Sequence, residues 1–151
     1  MVDVTTLSVV IAATSVVIGV VLAVLELRNV VKSRQTDLTM RLHSTWTKEE
    51  MVKPFLKVMN LEYEDYTDFK QKYGSFLTEN PEQIALIAVI NHFESMGYLM
   101  QHKMIDYGLV GLLPVGMTWE KIKPIVDGIR EQFKDPKFYE TFEYLYNELQ
   151  K

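Results

Sequence analysis

The sequence predicts an all-α protein in which one N-terminal transmembrane helix continues into a stalk and then into a compact cytoplasmic bundle of about five to six helices. Three observations support this prediction. Residues 7–25 form an uncharged, apolar run. Downstream, capping residues and prolines recur at intervals typical of short helices. No segment shows the two-residue alternation or the turn pairs typical of a β-sheet.

Residues 7–25 are long enough to cross a bilayer. At a rise of about 1.5 Å per residue they form a helix of roughly 28 Å, against a hydrocarbon thickness of ~30 Å. A cleaved signal peptide would need a preceding basic segment, whereas this run follows Asp3 and leads into Glu26 and Arg28. A buried core helix is the other alternative, but so small a domain cannot cover an apolar helix on every face. The sequence therefore favours a retained transmembrane anchor, residues 1–27.

Basic residues follow the apolar run and set its predicted orientation. Residues 28–48 contain five basic residues and one acid, whereas the chain from Glu49 onward carries 17 acids and 11 bases. Because Lys and Arg are retained on the cytoplasmic side, we expect the N-terminus outside and the C-terminal domain in the cytoplasm. The same charges can also attract anionic lipid, by up to ~1 kcal/mol each. The basic juxtamembrane residues are Arg28, Lys32, Arg34 and Arg41.

One face of the predicted transmembrane helix consists of small side chains. They project within an arc of about 80° when each residue turns the helix by about 100°. Small residues at four-residue spacing let two helix backbones approach closely, although small residues are also common in membrane helices generally. We expect this face to pack against a copy of itself or against another membrane protein. Its residues are Ser8, Ala12, Ser15, Gly19 and Ala23.

The chain after the anchor is predicted to stay helical. Residues 27–43 contain no Gly or Pro, and residues 28–46 form the basic stalk. The cytoplasmic helical domain then covers residues 47–151. One side of the stalk is apolar, which would let it pack on the domain or on a neighbouring stalk. The apolar residues on that side are Leu27, Val31, Leu38 and Leu42.

Local signals place the first two helices of the domain. Thr47 and Glu50 have the spacing of a capping box, in which each side chain bonds a free amide of the first turn, and this predicts a helix over residues 48–60. A shorter helix is expected over residues 65–73. Gly74 stops it, because glycine readily adopts the left-handed conformation.

Asn80 followed by Pro81 predicts the N-terminus of a long helix that runs to about Lys103. Residues 84–90 of this helix are all apolar and leave no face for water over two turns. It is therefore predicted to be the central helix of the bundle.

A further helix is predicted after Asp106, which can cap it. This helix is expected to be interrupted around Pro114 and Gly116 and to resume as far as residue 120.

Two more helices are predicted at the end of the chain. Proline in a helix interior removes an amide and clashes with the preceding turn, so Pro124 is expected to open a separate helix to about residue 134. Asp135 and Pro136 repeat the combination of cap and proline, and they predict a last helix to about residue 149.

Polar side chains occur near the end of the predicted central helix, where burial is costly unless each finds a partner. Arg130 and Glu143 are candidate partners, because each lies among apolar positions of its own helix and the planar fork of Arg can serve two carboxylates. We therefore predict a structural polar clamp of Glu94, Arg130 and Glu143. The alternative is a ligand pocket formed by Asn91, His92 and Glu94.

No candidate catalytic or metal site is visible in the sequence. Cysteine is absent, which excludes disulfides, thiolate metal sites and cysteine nucleophiles. The three histidines lack the three- or four-residue spacing of a helical metal site. There is no nucleophile elbow, phosphate loop or dinucleotide fingerprint, and the acidic domain is unsuited to nucleic acid. We therefore expect a non-enzymatic protein with no cofactor, no metal and no nucleic-acid partner.

Several strings in the C-terminal half resemble a family of uncharacterised small proteins of bacteria and archaea. These strings are His92-Phe93-Glu94-Ser95-Met96-Gly97-Tyr98-Leu99, Ile105-Asp106, Trp119, Pro124-Ile125, Ile129-Arg130 and Phe142-Glu143-Tyr144-Leu145. The resemblance implies an N-terminal membrane helix joined to a helical domain of this length, with no assigned activity. Residues 111–116 depart from the pattern. Positions that the resemblance implies the fold uses are Glu94, Gly97, Asp106, Trp119, Arg130 and Glu143.

Two hypotheses of function follow. The first is a single-pass accessory or scaffold protein of the cell membrane, which associates with itself or with a larger membrane complex through its transmembrane helix and helical domain. The alternative is a membrane-tethered sensor or small-ligand-binding domain. Substituting Glu94→Gln would separate them, because only a ligand pocket would lose a ligand-dependent rise in melting temperature.

Overall fold

A computed structural model describes residues 3–105 and 107–151 of the chain. Within these residues the protein contains seven helices and no strand, which confirms the all-α prediction of one long N-terminal apolar helix followed by a helical bundle. The helices are α1 (Val4–Trp46), α2 (Glu49–Met59), α3 (Tyr66–Tyr73), α4 (Pro81–Gln101), α5 (Tyr107–Val110), α6 (Val115–Phe133) and α7 (Glu140–Leu149).

The chain forms two compact units, of which the first ends at Asp37 and the second covers residues 38–151. In the first unit, Leu27 and Val31 of the predicted apolar stripe are exposed. In the second unit, Leu38 and Leu42 pack against the hydrophobic core. Residues 38–46, the last turns of the predicted stalk, are therefore part of the second unit.

The start of α2 differs from the predicted capping box. The N-cap residue is Lys48, and no side chain bonds the free amides there. The hydroxyl of Thr47 instead donates to the carbonyl of Ser44 at 3.0 Å. The capping box of Thr47 and Glu50 is therefore wrong, because the hydroxyl is used by the last turn of α1.

The predicted termini of α3 and α4 are confirmed by their hydrogen bonds. A carboxylate oxygen of Asp65 accepts from the amide of Asp68 at 2.8 Å. Gly74 ends α3 with φ +84°, a conformation that glycine adopts without strain. Asn80 accepts from the amide of Glu82 at 2.9 Å and caps α4.

Helix α4 contributes the largest share of the buried core and packs against α2 and α7. The prediction that residues 84–90 leave no face for water is not fully met, however, because Ile84 is 59% exposed. The neighbouring helices cover the remaining sides of α4, and one narrow face stays open. The largest fully buried side chains of the core include Phe93 of α4 itself and, from other helices, Phe69, Trp119 and Phe142.

Helix α6 is continuous, which corrects two predictions. It begins directly after Pro114, passes through Gly116 and does not stop at Pro124. The apolar positions of α6 stay on one face across Pro124, so burial of that face outweighs the amide that proline removes. Proline also displaces carbonyls of the preceding turn, and the hydroxyl of Tyr63 donates to the nearby carbonyl of Lys121. The predicted cap residue Asp106 lies outside the described residues.

The last helix begins later than predicted. Residues 136–139 form turns, and α7 starts at Glu140. Asp135 does accept from the amide of Lys137 at 3.0 Å, but this bond closes a turn and caps no helix. Tyr139 adopts φ +58°, which reverses the chain immediately before α7.

Candidate functional site

Helix α1 contains a segment that is long and apolar enough to cross a membrane. None of the residues in its most apolar 18-residue window is buried. Side chains such as Val9, Val16 and Leu22 are more than half exposed. A helix with these properties lacks the burial expected of a soluble core helix.

The predicted small-residue face lies on α1 and is uncovered. The hydroxyl of Ser8 donates to the carbonyl of Val4 at 2.9 Å, and that of Ser15 donates to the carbonyl of Ile11 at 2.9 Å. Both hydroxyls are thus satisfied within the helix, as an apolar environment requires. A Cβ added at Gly19 would find no atom within 4 Å. Exposed small residues complete the face at Ala12 and Ala23.

The four predicted basic juxtamembrane residues are all exposed on α1. Arg28, Lys32 and Arg34 lie in the first unit, shortly after the apolar window. Arg41 lies within the second unit. The charges nearest the apolar segment are therefore exposed.

Two members of the predicted polar clamp form an ion pair that joins α6 to α7. Arg130 donates from Nη2 to Glu143 Oε2 at 2.7 Å, and from Nε to the carbonyl of Phe138 at 2.9 Å. Its Nη1 lies 3.8 Å from an oxygen of Asp127. The Arg130 side chain is 14% exposed. The Arg130 guanidinium therefore holds both the turn before α7, through Phe138, and α7 itself, through Glu143.

Glu94, the third predicted member, has different partners. Its carboxylate accepts from the amide of Phe142 at 2.7 Å, and its carbonyl accepts from the hydroxyl of Thr141 at 2.7 Å. The free amides at the start of a helix carry partial positive charge, so a carboxylate there stabilises the helix. Glu94 on α4 therefore caps α7, and the predicted three-residue cluster is divided between two contacts.

Gly97 allows these two helices to approach closely. A Cβ at this position would lie 1.9 Å from the carbonyl oxygen of Thr141. Together, Glu94 and Gly97 are one turn apart on α4 and both face the first turn of α7. The string Glu94-x-x-Gly97 is a signal in the sequence that could have indicated this contact, and the sequence reasoning missed it.

The predicted pocket residues have different surroundings in the structure. Asn91 is exposed, whereas the His92 ring lies against Trp46, with centroids 5.3 Å apart. His92 Nε2 is buried and has no hydrogen-bond partner in the described part of the chain. Burial lowers the pKa of His92 below its ordinary value. Trp46, which the sequence reasoning did not single out, also contacts Phe55 and Phe93.

A shallow cleft of about 380 Å³ lies beside Glu94. One Glu94 oxygen is held by the amide of Phe142, and the described lining of the cleft includes no second carboxylate and no His, Lys or Arg. Across residues 3–105 and 107–151, no three His, Asp or Glu side chains are grouped as a metal site would need. The lining residues are Glu94, Ser95, Tyr98, Leu99 and Thr141.

Comparison with known proteins gives one match. Residues 13–149 match the model of the DUF4760 family, described as a domain of unknown function, which confirms the resemblance to an uncharacterised family. No curated protein and no solved structure matches the chain. The matched region begins inside the apolar run and ends in α7, so it includes parts of both units.

Proposed function

The chain belongs to the DUF4760 family, a domain of unknown function, and from this premise we propose that it is a single-pass, non-enzymatic accessory or scaffold protein of the cell membrane. In this proposal the apolar segment of α1 anchors the chain in the bilayer. The second unit is the helical domain that associates with a partner. The observation that carries the proposal is the apolar window of α1, in which no residue is buried.

Exposed apolar side chains along α1 support a location in lipid. Each Å² of apolar surface left in water costs ~25 cal/mol, and a helix satisfies all its interior backbone groups in hydrocarbon. The family match begins at residue 13, inside the apolar run. This start supports a retained anchor, because a cleaved leader would not be expected to form part of the shared domain.

Charge supports one orientation. Arg28, Lys32 and Arg34 follow the apolar window and are exposed. Retention of such residues on the cytoplasmic side places the second unit in the cytoplasm and the start of α1 outside. The proposed topology can be tested separately from the anchor itself.

Association is supported by two features of different units. The small-residue face of α1 is uncovered, and it suits helix packing in lipid. In the second unit the charged and polar groups that were candidates for chemistry serve the fold: Arg130 holds Glu143, and Glu94 caps α7. A domain that uses its partly buried charges in this way favours a role in binding or assembly over catalysis.

Crosslinking in native membranes tests the association. The full chain is compared with Gly19→Leu, which enlarges the small face, and with Val17→Leu, which changes the opposite side of α1. We expect a crosslinked homo-oligomer or complex for the native chain and for Val17→Leu, and a several-fold loss for Gly19→Leu. A strictly monomeric chain in all three samples would contradict the association.

Cysteine labelling tests the topology, because the native sequence has no cysteine. Gln71→Cys places one thiol at an exposed position of α3. A membrane-impermeant maleimide is expected to label it only after cells are lysed. Labelling of intact cells to the same extent would contradict the cytoplasmic location.

A further inference from the structure

The cleft beside Glu94 is lined mainly by side-chain oxygens that can accept hydrogen bonds but have no hydrogen left to donate. The hydroxyl of Ser95 donates to the carbonyl of Asn91 at 2.7 Å, and that of Thr141 donates to the carbonyl of Glu94 at 2.7 Å. A hydroxyl has one hydrogen, so both oxygens can now only accept. In the described lining, the remaining polar side chain is Tyr98, whose hydroxyl can donate or accept.

The carboxylate of Glu94 is only partly compensated. One oxygen, Oε2, accepts from the amide of Phe142 at 2.7 Å, and Oε1 has no partner among the residues that the structure describes. The start of α7 supplies about half a positive charge, whereas a carboxylate carries a full negative charge. The cleft therefore retains negative charge, and its described lining includes no cation to offset it.

The same cleft has an apolar wall. Tyr98 is 53% exposed, and Leu99 beside it is half-buried. Long charged side chains lay their methylene stems along surfaces of this kind and keep the charged group at the polar end. The cleft thus combines a wall for an alkyl stem with oxygens for a donor-only group.

A lysine side chain matches this combination. Its ammonium group has three donors and no acceptor, which suits Glu94 Oε1 together with the hydroxyl oxygens of Ser95 and Thr141. The planar fork of arginine fits best when both oxygens of a carboxylate are available, and here one oxygen is held by the amide of Phe142.

The surroundings of the cleft favour a lysine that belongs to a protein. Sites for small molecules usually bury most of their ligand, whereas this cleft is shallow and open. It also continues into an exposed, uncharged face of α4, whose residues project within an arc of about 60°. This face can receive the side chains that flank the lysine in a partner. Its residues are Ile84, Asn91, Ser95 and Tyr98.

Resting on the proposed function, we propose that this cleft is the point at which the second unit binds its protein partner, and that the partner inserts a lysine side chain there. The ammonium group donates to Glu94 Oε1 and to the hydroxyl oxygens of Ser95 and Thr141. The methylene stem lies along Tyr98 and Leu99.

Nuclear magnetic resonance of the full chain in detergent micelles, labelled with nitrogen-15, tests the site with a minimal probe. The probe is Nα-acetyl-lysine methylamide. Nα-acetyl-norleucine methylamide is the matched control, because it has the same stem without the ammonium group. We expect saturable shifts of the backbone amides of residues 94–99 and 141–142 with the lysine probe alone. Equal shifts with both probes, or no localised shift with either, would overturn the inference.

Two variants separate the cleft from the general negative charge of the domain. Glu94→Gln keeps an oxygen for the Phe142 amide but removes the charge, and we expect it to weaken binding of the lysine probe by about fivefold, as for the loss of a partly exposed ion pair. Glu140→Gln removes an exposed charge next to Thr141 and outside the described lining, and we expect almost no change. Equal weakening in two variants that both remain folded by circular dichroism would overturn the inference.

Photo-crosslinking in whole cells tests whether the lysine comes from a protein. The photoreactive residue p-benzoylphenylalanine replaces Asn91, which is exposed on the same face of α4 and lies outside the described lining of the cleft. We expect a crosslink to a protein segment that contains lysine, and several-fold less of it when Glu94→Gln is added. A crosslink that does not depend on Glu94, a crosslink to a segment without lysine, or no crosslink would overturn the inference.

The crosslinking comparison of the native chain with Gly19→Leu separates this inference from the proposed function. If the association through α1 is found and the lysine probe does not bind, the site beside Glu94 is wrong and the proposed function stands. If the native chain is strictly monomeric in membranes, both are wrong.

Discussion

Substitution of Gly97 by alanine is expected to destabilise the second unit strongly. The added Cβ would lie 1.9 Å from the carbonyl oxygen of Thr141 and 2.5 Å from its carbonyl carbon. An ordinary contact between carbon and a carbonyl oxygen is about 3.3–3.6 Å, so α4 and the first turn of α7 must separate by about 1.5 Å. These backbone atoms cannot move independently of α7.

The magnitude follows from two opposing effects. Overpacking of this kind costs about 1–3 kcal/mol, and separation would also weaken the two hydrogen bonds of Glu94, each worth about 1 kcal/mol. Alanine favours a helix over glycine by up to about 1 kcal/mol, which offsets part of the loss. We therefore expect a net loss of about 2–4 kcal/mol, and a fall in melting temperature on the order of 10 °C.

Thermal unfolding of the full chain in detergent micelles, followed by circular dichroism, measures the effect. The matched control is Gly116→Ala, because that glycine is also helical and its added Cβ would meet side-chain atoms of Gln150 at 3.4 Å and Tyr146 at 4.0 Å, with no backbone atom among the nearest. The control is expected to be neutral or slightly stabilising. Equal melting temperatures for the two variants would refute the close packing of α4 on α7.

Three further predictions concern the polar groups of the second unit. Glu94→Ala removes the acceptor of the Phe142 amide and is expected to cost about 1–2 kcal/mol, with Glu94→Gln costing less; equal losses would contradict a charged cap. Arg130→Lys cannot reach both Glu143 and the neighbouring backbone carbonyl, so a loss of about 1 kcal/mol is expected in urea unfolding, and no loss would show that the fork is unimportant. Burial lowers the pKa of His92 below its ordinary value of 6.5, so the unfolded chain binds a proton first as pH falls, and the free energy of unfolding should decrease below about pH 6.5 and stay constant above it. His92→Phe should reduce that decrease, and an identical pH profile in the variant would contradict the assignment.

Local signals in the sequence predicted the helices that their own residues define. Asp65, Gly74 and Asn80 act within one turn of their position, so the termini of α3 and α4 followed from the sequence. The predictions that failed depended on other parts of the fold. Pro124 lies inside α6 because burial of one apolar face extends across it, and the hydroxyl of Tyr63 reaches the neighbouring carbonyl of Lys121.

In the candidate site, too, the features set by a segment's own residues were predicted, and a contact that depends on another helix was missed. The composition of residues 7–25 was sufficient to identify a helix able to span a membrane, since length and apolarity are properties of the segment alone. The pairing of Arg130 with Glu143 also followed from their places among apolar positions. The partner of Glu94 did not, because it is a backbone amide of α7, and only the glycine one turn later, Gly97, marks the close approach of that helix.

Extraction of native membranes with alkaline carbonate tests whether α1 spans the bilayer. This wash releases proteins held at the surface by charge and leaves transmembrane helices in the lipid. We expect the full chain to stay in the membrane pellet, and to be released when Val16 and Val20 in the apolar segment are both replaced by aspartate. Recovery of the native chain in the soluble fraction would show that α1 does not anchor it in the bilayer.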